Sequence, residues 1–120
     1  CGDGVQEMYR AICALRGEKA RRIGLKPLLG HACTARDPHC SRALAMFCGL
    51  LGDFAGHVAL TLGADGGVVV AGEIVDALGH WFTRSPFRRR FEARGRYRET
   101  LRAIPTVVAG RGAQPRLMVG

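Results

Sequence analysis

Lysine is nearly missing from this chain: two lysines stand against sixteen arginines and ten acidic residues, for a net charge of +8. So cationic a composition fits a polyanionic partner such as nucleic acid, but an arginine skew this strong fits a habit of the source genome better. Long hydrophobic runs are missing too. Gly, Asp, His or Arg interrupts every apolar stretch before it reaches the roughly 20 residues of a membrane span, so no membrane association is expected. Cys1-Gly2-Asp3-Gly4 carries an acid and no apolar leader core, which argues against a secretory signal. The missing initiator methionine points to processing or, preferably, truncation. No internal repeats or low-complexity tracts are read, and a hydrophobic content of 48% excludes a disordered tail.

What remains is a chain of 120 residues, enough for one domain with a modest core. Its five cysteines, at 1, 13, 33, 40 and 48, form an odd and irregular set. Cys40 and Cys48 fall on a helical apolar pattern, where a thiol acts as a small hydrophobe. A reducing, cytoplasmic setting without disulfides is expected.

Apolar residues at three- and four-residue steps predict a helix over 5–15, carried by Val5, Met8, Tyr9, Ile12 and Leu15. Pro27 opens a short helix over 28–33. Asp37-Pro38 is a stronger start, with Asp as N-cap and Pro in the first turn. From there to Leu62 runs the best helix, about 37 Å long, with Gly63 as its stop. Its stripe is Leu44, Phe47, Cys48, Leu51, Phe54, Ala55, Val58, Ala59 and Leu62. Gly49, Gly52 and Gly56 weaken it by about 0.8–1.0 kcal/mol each relative to alanine, which predicts a neighbour packed close against them.

The most informative stretch follows. Gly66-Gly67 leads into Val68-Val69-Val70-Ala71, apolar throughout as in a parallel strand buried on both faces. Ala71-Gly72 is a turn with almost no side-chain bulk, and Glu73-Ile74-Val75 opens a helical pattern. Such a strand–turn–helix suits a nucleotide lying against backbone, and it also suits an ordinary βα connection. A helix over 74–82, another from Ser85-Pro86 carrying Phe87 and Phe91, a further one over 97–103 and a strand over 104–108 complete the pattern. Residues 110–120 have turn composition. Alternating helices and short buried strands mean α/β.

Chemistry is sparse. His31, Cys33, His39 and Cys40 match no common zinc spacing, so no metal site is expected. His57 sits among small residues as a packed or half-exposed histidine. No Ser–His–acid set and no paired carboxylates stand out. Eight arginines crowd the nineteen positions 84–102, offset by Glu92 and Glu99. Phe87 and Phe91 lie at core spacing and form no stacking platform, so a solvated face is expected in preference to nucleic-acid recognition.

Arg42-Ala43-Leu44, Phe47 and Leu51-Gly52-Asp53-Phe54-Ala55-Gly56-His57-Val58-Ala59-Leu60 resemble the long helix of bacterial ATP-dependent glucokinases. Residues 66–75 resemble that family's adenosine motif, Gly-Gly-Val-x-Ile-Ala-Gly-Gly-Ile-Val. Ser85-Pro86-Phe87-Arg88, Arg90-Phe91-Glu92, Gly95-Arg96-Tyr97 and Ile104-Pro105 continue the likeness in order, and Gly2-Asp3-Gly4 with Tyr9-Arg10-Ala11 is similar to its Ser-Gly-Pro-Gly turn and following helix. The resemblance covers nearly the whole chain. It implies part of an actin-like sugar kinase: residues 1–120 as a single, incomplete domain, the C-terminal part of the large domain, with short parallel strands packed on the long helix.

In such a kinase ATP, with Mg2+, phosphorylates glucose to glucose 6-phosphate, and the enzyme forms a homodimer or larger species. The phosphate loops, the catalytic aspartate and the glucose-binding residues lie upstream in the family, so no catalytic residue is expected in this chain. ATP-contacting roles carry over to Gly66, Gly67, Gly72 and Glu73. Asp3, His57 and Glu73 depart from the family pattern, and Glu73 places a carboxylate where backbone faces the nucleotide. A second reading is a non-catalytic interaction module using the arginine-rich face 84–102.

Overall fold

The computed structural model describes residues 2–34, 37–64, 66–110 and 116–118. The chain divides into two compact units, Cys1–Phe47 and Cys48–Gly120.

In the first unit, α1 (Gly2–Leu15) buries Val5, Tyr9, Ile12 and Cys13. The sequence pattern put Leu15 on this face, but Leu15 is 87% exposed, and Cys13 closes the stripe one residue after Ile12. The expected glycine turn at 2–4 is instead the first turn of α1. Helix α2 (Leu25–Cys33) starts three residues before the predicted 28, so Pro27 is its third residue; it buries Leu28, Leu29 and Ala32. Proline is harmless there, because amides in a first turn lack intrahelical partners.

Helix α3 (Pro38–Leu62) has the predicted bounds and cap. The Asp37 Oδ1 accepts the backbone N–H of His39 at 3.0 Å and of Cys40 at 3.4 Å. Its other oxygen accepts from the Arg21 guanidinium at 2.5 Å. Burial alone would push the Asp37 carboxyl up; Arg21 and the two amides outweigh it and hold the group below the usual carboxylate range. Burial, with the Asp37 charge beside it, pushes the Cys40 thiol up to about 12. Cys40 is therefore a packed hydrophobe, not a ligand or nucleophile.

The second unit holds the rest of α3, the helices α4 (Glu73–Leu78), α5 (His80–Thr83), α6 (Phe87–Glu92) and α7 (Arg98–Arg102), and a three-stranded sheet. Strands β1 (Val68–Ala71) and β2 (Thr106–Ala109) pair in parallel, Val68 opposite Thr106, as the alternating pattern predicts. The third strand, β3 (Arg116–Met118), runs antiparallel to β2 within the stretch read as turn. The sheet is therefore mixed, not purely parallel. A three-residue strand beyond a turn-rich run leaves too little periodicity to be read from sequence.

The helix expected over 74–82 is two helices, because Gly79 (φ 56°) breaks the ladder between Leu78 and His80. Ile74, Leu78 and Phe82 still point inward. Phe82 and Phe87 lie 5.1 Å apart between ring centroids, and Phe87 and Phe91 lie 6.2 Å apart, forming the aromatic centre of this unit.

The glycines of α3 do meet a close neighbour. A Cβ at Gly52 would lie 2.2 Å from the Phe87 carbonyl oxygen, and one at Gly56 would lie 2.4 Å from that of Phe91. Backbone thus packs on backbone, which no residue with a side chain permits. By length and composition α3 would qualify as a membrane span, contrary to the reading of short apolar runs. These two contacts, together with Asp53 in ion pairs, mark it as a helix packed against protein.

Gly52→Ala is expected to destabilise the second unit by about 2–3 kcal/mol, since the obstacle is backbone that cannot rotate away. Gly30→Ala in α2, where a Cβ opens onto free space, should instead stabilise by about 0.5–1 kcal/mol. Denaturant unfolding of the two variants is the measurement; equal effects would contradict the close approach.

Candidate functional site

The strand–turn–helix of residues 64–75 is built largely as its sequence suggests. Gly67 has φ 135°, and its missing Cβ would stand 3.4 Å from both the Cγ and the carbonyl oxygen of Pro105. That proximity lets the Val68 N–H donate to the Pro105 carbonyl at 2.9 Å and start the parallel register. Gly67 therefore acts in joining β1 to β2, whereas a Cβ on Gly66 would meet nothing within 4 Å.

Gly72 (φ 148°, ψ 173°) caps α4 through its carbonyl, which accepts the Asp76 N–H at 2.9 Å. In front of it lies open space. Glu73 is exposed and is the first residue of α4; with Asp76 it makes the first turn acidic.

Sequence reasoning missed a partner to this turn. Val69-Val70-Ala71-Gly72 recurs as Val107-Val108-Ala109-Gly110, and the sheet sets the two copies side by side, Val69 opposite Val107 and Ala71 opposite Ala109. The repeated tetrapeptide was the available signal, contrary to the reading that the chain holds no repeats. Two parallel strands thus end together in Ala-Gly, with no side chain larger than methyl at either exit. The carboxyl ends of parallel strands are where open α/β sheets take ligands.

Nor is β1 buried on both faces as expected: Val69 is 67% exposed and Ala71 is exposed as well. An open apolar cleft of about 280 Å³ runs along the strand between β1, Leu51, Phe54, Ala55 and Val58 of α3, and Phe87.

The residues weighed as metal ligands do not assemble one. His39 Nε2 pairs with Glu18 at 2.6 Å, Cys40 is buried, and no group of three or more His, Cys, Asp or Glu among the described residues could hold an ion. His57 is exposed on α3.

The arginine-rich segment is not one solvated face. Arg84, Arg89, Arg96, Arg98 and Arg102 are exposed, but Arg88 is 5% exposed and Glu92, one helical turn on, is 6% exposed. Arg88 Nε donates to Glu92 at 2.7 Å. Its Nη1 donates to the Ile104 carbonyl at 2.7 Å and to Thr106 Oγ1 at 3.3 Å. Its Nη2 reaches the carbonyls of Leu101 at 3.2 Å and Arg102 at 3.1 Å. One guanidinium therefore satisfies the end of α7 and the entry to β2, while lying 4.9 Å from the Phe91 ring centroid. Arg90 and Arg94 both grip Asp53 of α3, Arg94 at 2.7 Å and Arg90 Nε at 2.9 Å. The Arg90 hydrogen bond is the main cause that holds the Asp53 carboxyl below its usual range.

These features define an α/β protein with a small-residue strand–turn–helix at the carboxyl edge of a parallel strand pair. The Glucokinase family model matches residues 1–115, and the chain belongs to that family. The glucokinase of Chromobacterium violaceum is 47% identical over 106 residues, covering 87% of this chain and 30% of that protein. Those of Aromatoleum aromaticum and Nitrobacter hamburgensis are 46% and 39% identical, each over 89% of this chain and 32% and 33% of the relative. A crystal structure of glucokinase from an Antarctic psychrotroph superposes with a TM-score of 0.80 at 29% identity, over 90% of this chain and 34% of that one. The chain spans about a third of the length of the relatives it matches.

Replacing Arg88 by Met should cost about 3–5 kcal/mol, because the Glu92 carboxylate and several carbonyls stay buried without their donor. Arg88→Lys should recover little, since one ammonium cannot span five acceptors. Unfolding midpoints decide both.

Asp53 has a distinct pH signature. Its folded carboxyl titrates below the unfolded value of about 3.9, so its contribution is full above that value and is lost as pH falls through the folded one. The stability gap between wild type and Asp53→Asn should be flat above about pH 5 and close under acid.

Proposed function

We propose that residues 1–120 are the C-terminal part of the large domain of a cytoplasmic, actin-like glucokinase. The complete enzyme transfers the γ-phosphoryl of ATP to the 6-hydroxyl of glucose, with Mg2+, and works as a homodimer or larger assembly. The observation that carries this reading is family membership over residues 1–115 combined with a span of only a third of the relatives. The strand–turn–helix supports it independently, because a nucleotide can approach the backbone of Ala71-Gly72 without meeting a side chain.

In this reading Gly66, Gly67, Gly72 and Glu73 form the adenosine side of the ATP site. The four do not share one role. Gly72 leaves the open surface, Gly67 holds β1 to Pro105, Gly66 borders the same loop, and Glu73 stands beside the nucleoside. The residues fit an adenosine better than a phosphate, since Glu73 and Asp76 make the first turn of α4 anionic. They do not fit Mg2+, for which the described residues assemble no ligand set. Phosphoryl transfer depends on positioning and on electrostatic support of the transferred group, and those parts are assigned to the upstream polypeptide.

Two experiments test the proposal. The isolated chain should phosphorylate glucose no faster than background in a coupled assay; turnover of about 1–100 s⁻¹ would overturn it. Joined to the upstream part of a glucokinase, the chain should yield an ATP-binding protein. There Glu73→Gly should tighten a non-hydrolysable ATP analogue in calorimetry and lower stability slightly, by the roughly 0.3–1 kcal/mol of a lost N-terminal acid. Unchanged affinity would remove Glu73 from the nucleotide's surroundings.

A further inference from the structure

Residues 16–24 join α1 to α2 without helix or strand and bury almost nothing: Ala20 and Ile23 are half-buried and the rest are exposed. Apolar cover therefore contributes little to holding this strap in place. Charge holds it instead. The Arg21 guanidinium donates to Asp37 Oδ2 at 2.5 Å, and Glu18 Oε2 meets His39 Nε2 at 2.6 Å. Two neutral tethers run to α1: the Arg21 N–H donates to the Tyr9 hydroxyl at 3.4 Å, and Gln6 Nε2 donates to the Ile23 carbonyl at 3.0 Å.

Both ion pairs land on the start of one helix, at the Asp37 cap and in the first turn of α3. The ends of the strap are fixed separately. Gly17 (φ 69°) closes α1, where the Glu18 N–H donates to the Cys13 carbonyl at 2.9 Å. The Gly24 carbonyl accepts the Leu28 N–H at 3.0 Å and starts α2. The helices beyond are anchored by buried residues, Tyr9, Ile12 and Cys13 on α1 and Leu28, Leu29 and Ala32 on α2. The middle of the strap can thus leave while the helices stay packed.

We propose that residues 16–24 form a charge-held strap, which lifts from the N-terminal end of α3 as ionic strength rises. Exposed charges attract one another across about 10 Å at 0.1 M salt and across less as salt increases. The apolar packing of the helices is not weakened in the same way. Lifting frees Arg21 to stand with Lys19 and Arg22 as an open basic run and leaves Asp37 with its cap alone.

Limited trypsin digestion of the 120-residue chain is the test. Lys19, Arg21 and Arg22 offer cleavage points inside the strap, and cutting there follows the lifted population when opening is fast. The first cuts, located by mass spectrometry, should fall after these residues. Their rate should rise about threefold or more between about 20 mM and 500 mM sodium chloride, relative to a free peptide of residues 16–24. Asp37→Asn removes the charge and keeps the cap, because asparagine caps a helix as well as aspartate does. At low salt it should speed cutting about two- to fivefold with helix content unchanged by circular dichroism. Glu18→Gln should do the same at the other pair, and the double variant should reach about tenfold with little salt response left. First cuts outside the strap, a rate indifferent to salt, or a double variant cut no faster than wild type would overturn the proposal. So would Asp37→Asn speeding cuts throughout the chain alike, since the contact would then support the whole fold and not the strap.

Discussion

The second unit depends on the approach of α6 to α3. Two carbonyls, of Phe87 and Phe91, press where Gly52 and Gly56 have no side chain. A six-residue helix has no stability of its own in water, so α6 exists because of what it touches. The close approach brings Arg90 and Arg94 onto Asp53, lays Phe87 and Phe91 inside, and aims Arg88 at α7 and β2. Without the glycines the helix axes would separate by the width of a methyl group or more, and each of these reaches would fall short.

The arginines show how far composition misleads when position is unknown. Eight of them in nineteen residues look like a surface for polyanions. Arg88, Arg90 and Arg94 serve the protein itself: one satisfies main-chain acceptors in the interior, and the other two neutralise a carboxylate on α3. The i, i+4 spacing of Arg88 and Glu92 was visible, but it looks the same on a wet face as in a buried one. Only the partners, Ile104, Leu101 and Arg102, distinguish the two, and they lie 13–16 residues away.

Elements with strong local causes were legible. The Asp37 cap, the α3 periodicity and the Gly63 stop placed that helix to the residue, and the parallel pairing of β1 with β2 followed from two apolar strands separated by helices. Elements set by distant contacts were not. β3 is held by its pairing with β2, and Thr106 Oγ1 donating to the Met118 carbonyl at 2.6 Å has no local signature. The exposure of Val69 was illegible for a different reason: an unbroken apolar strand announces that it wants cover, not that the cover is present. At the candidate site the motif located the turn but not the division of labour, because Gly67 and Gly72 look alike in sequence and differ only in what stands opposite their missing side chains.

The matched four-residue spacings of Gly52–Gly56 and Phe87–Phe91 also constrain motion. A small slide of α6 along α3 would drive a carbonyl from a notch into a side chain, so shear between these helices is blocked. Rearrangement of this unit is left to rotation about flexible backbone, at Gly79 between α4 and α5 and at Gly95 before α7. Both flank the clamped segment, so α6 stays with Gly52 and Gly56, and any swing of α4 about Gly79 would have to draw Ile74, Val75 and Leu78 out of the core.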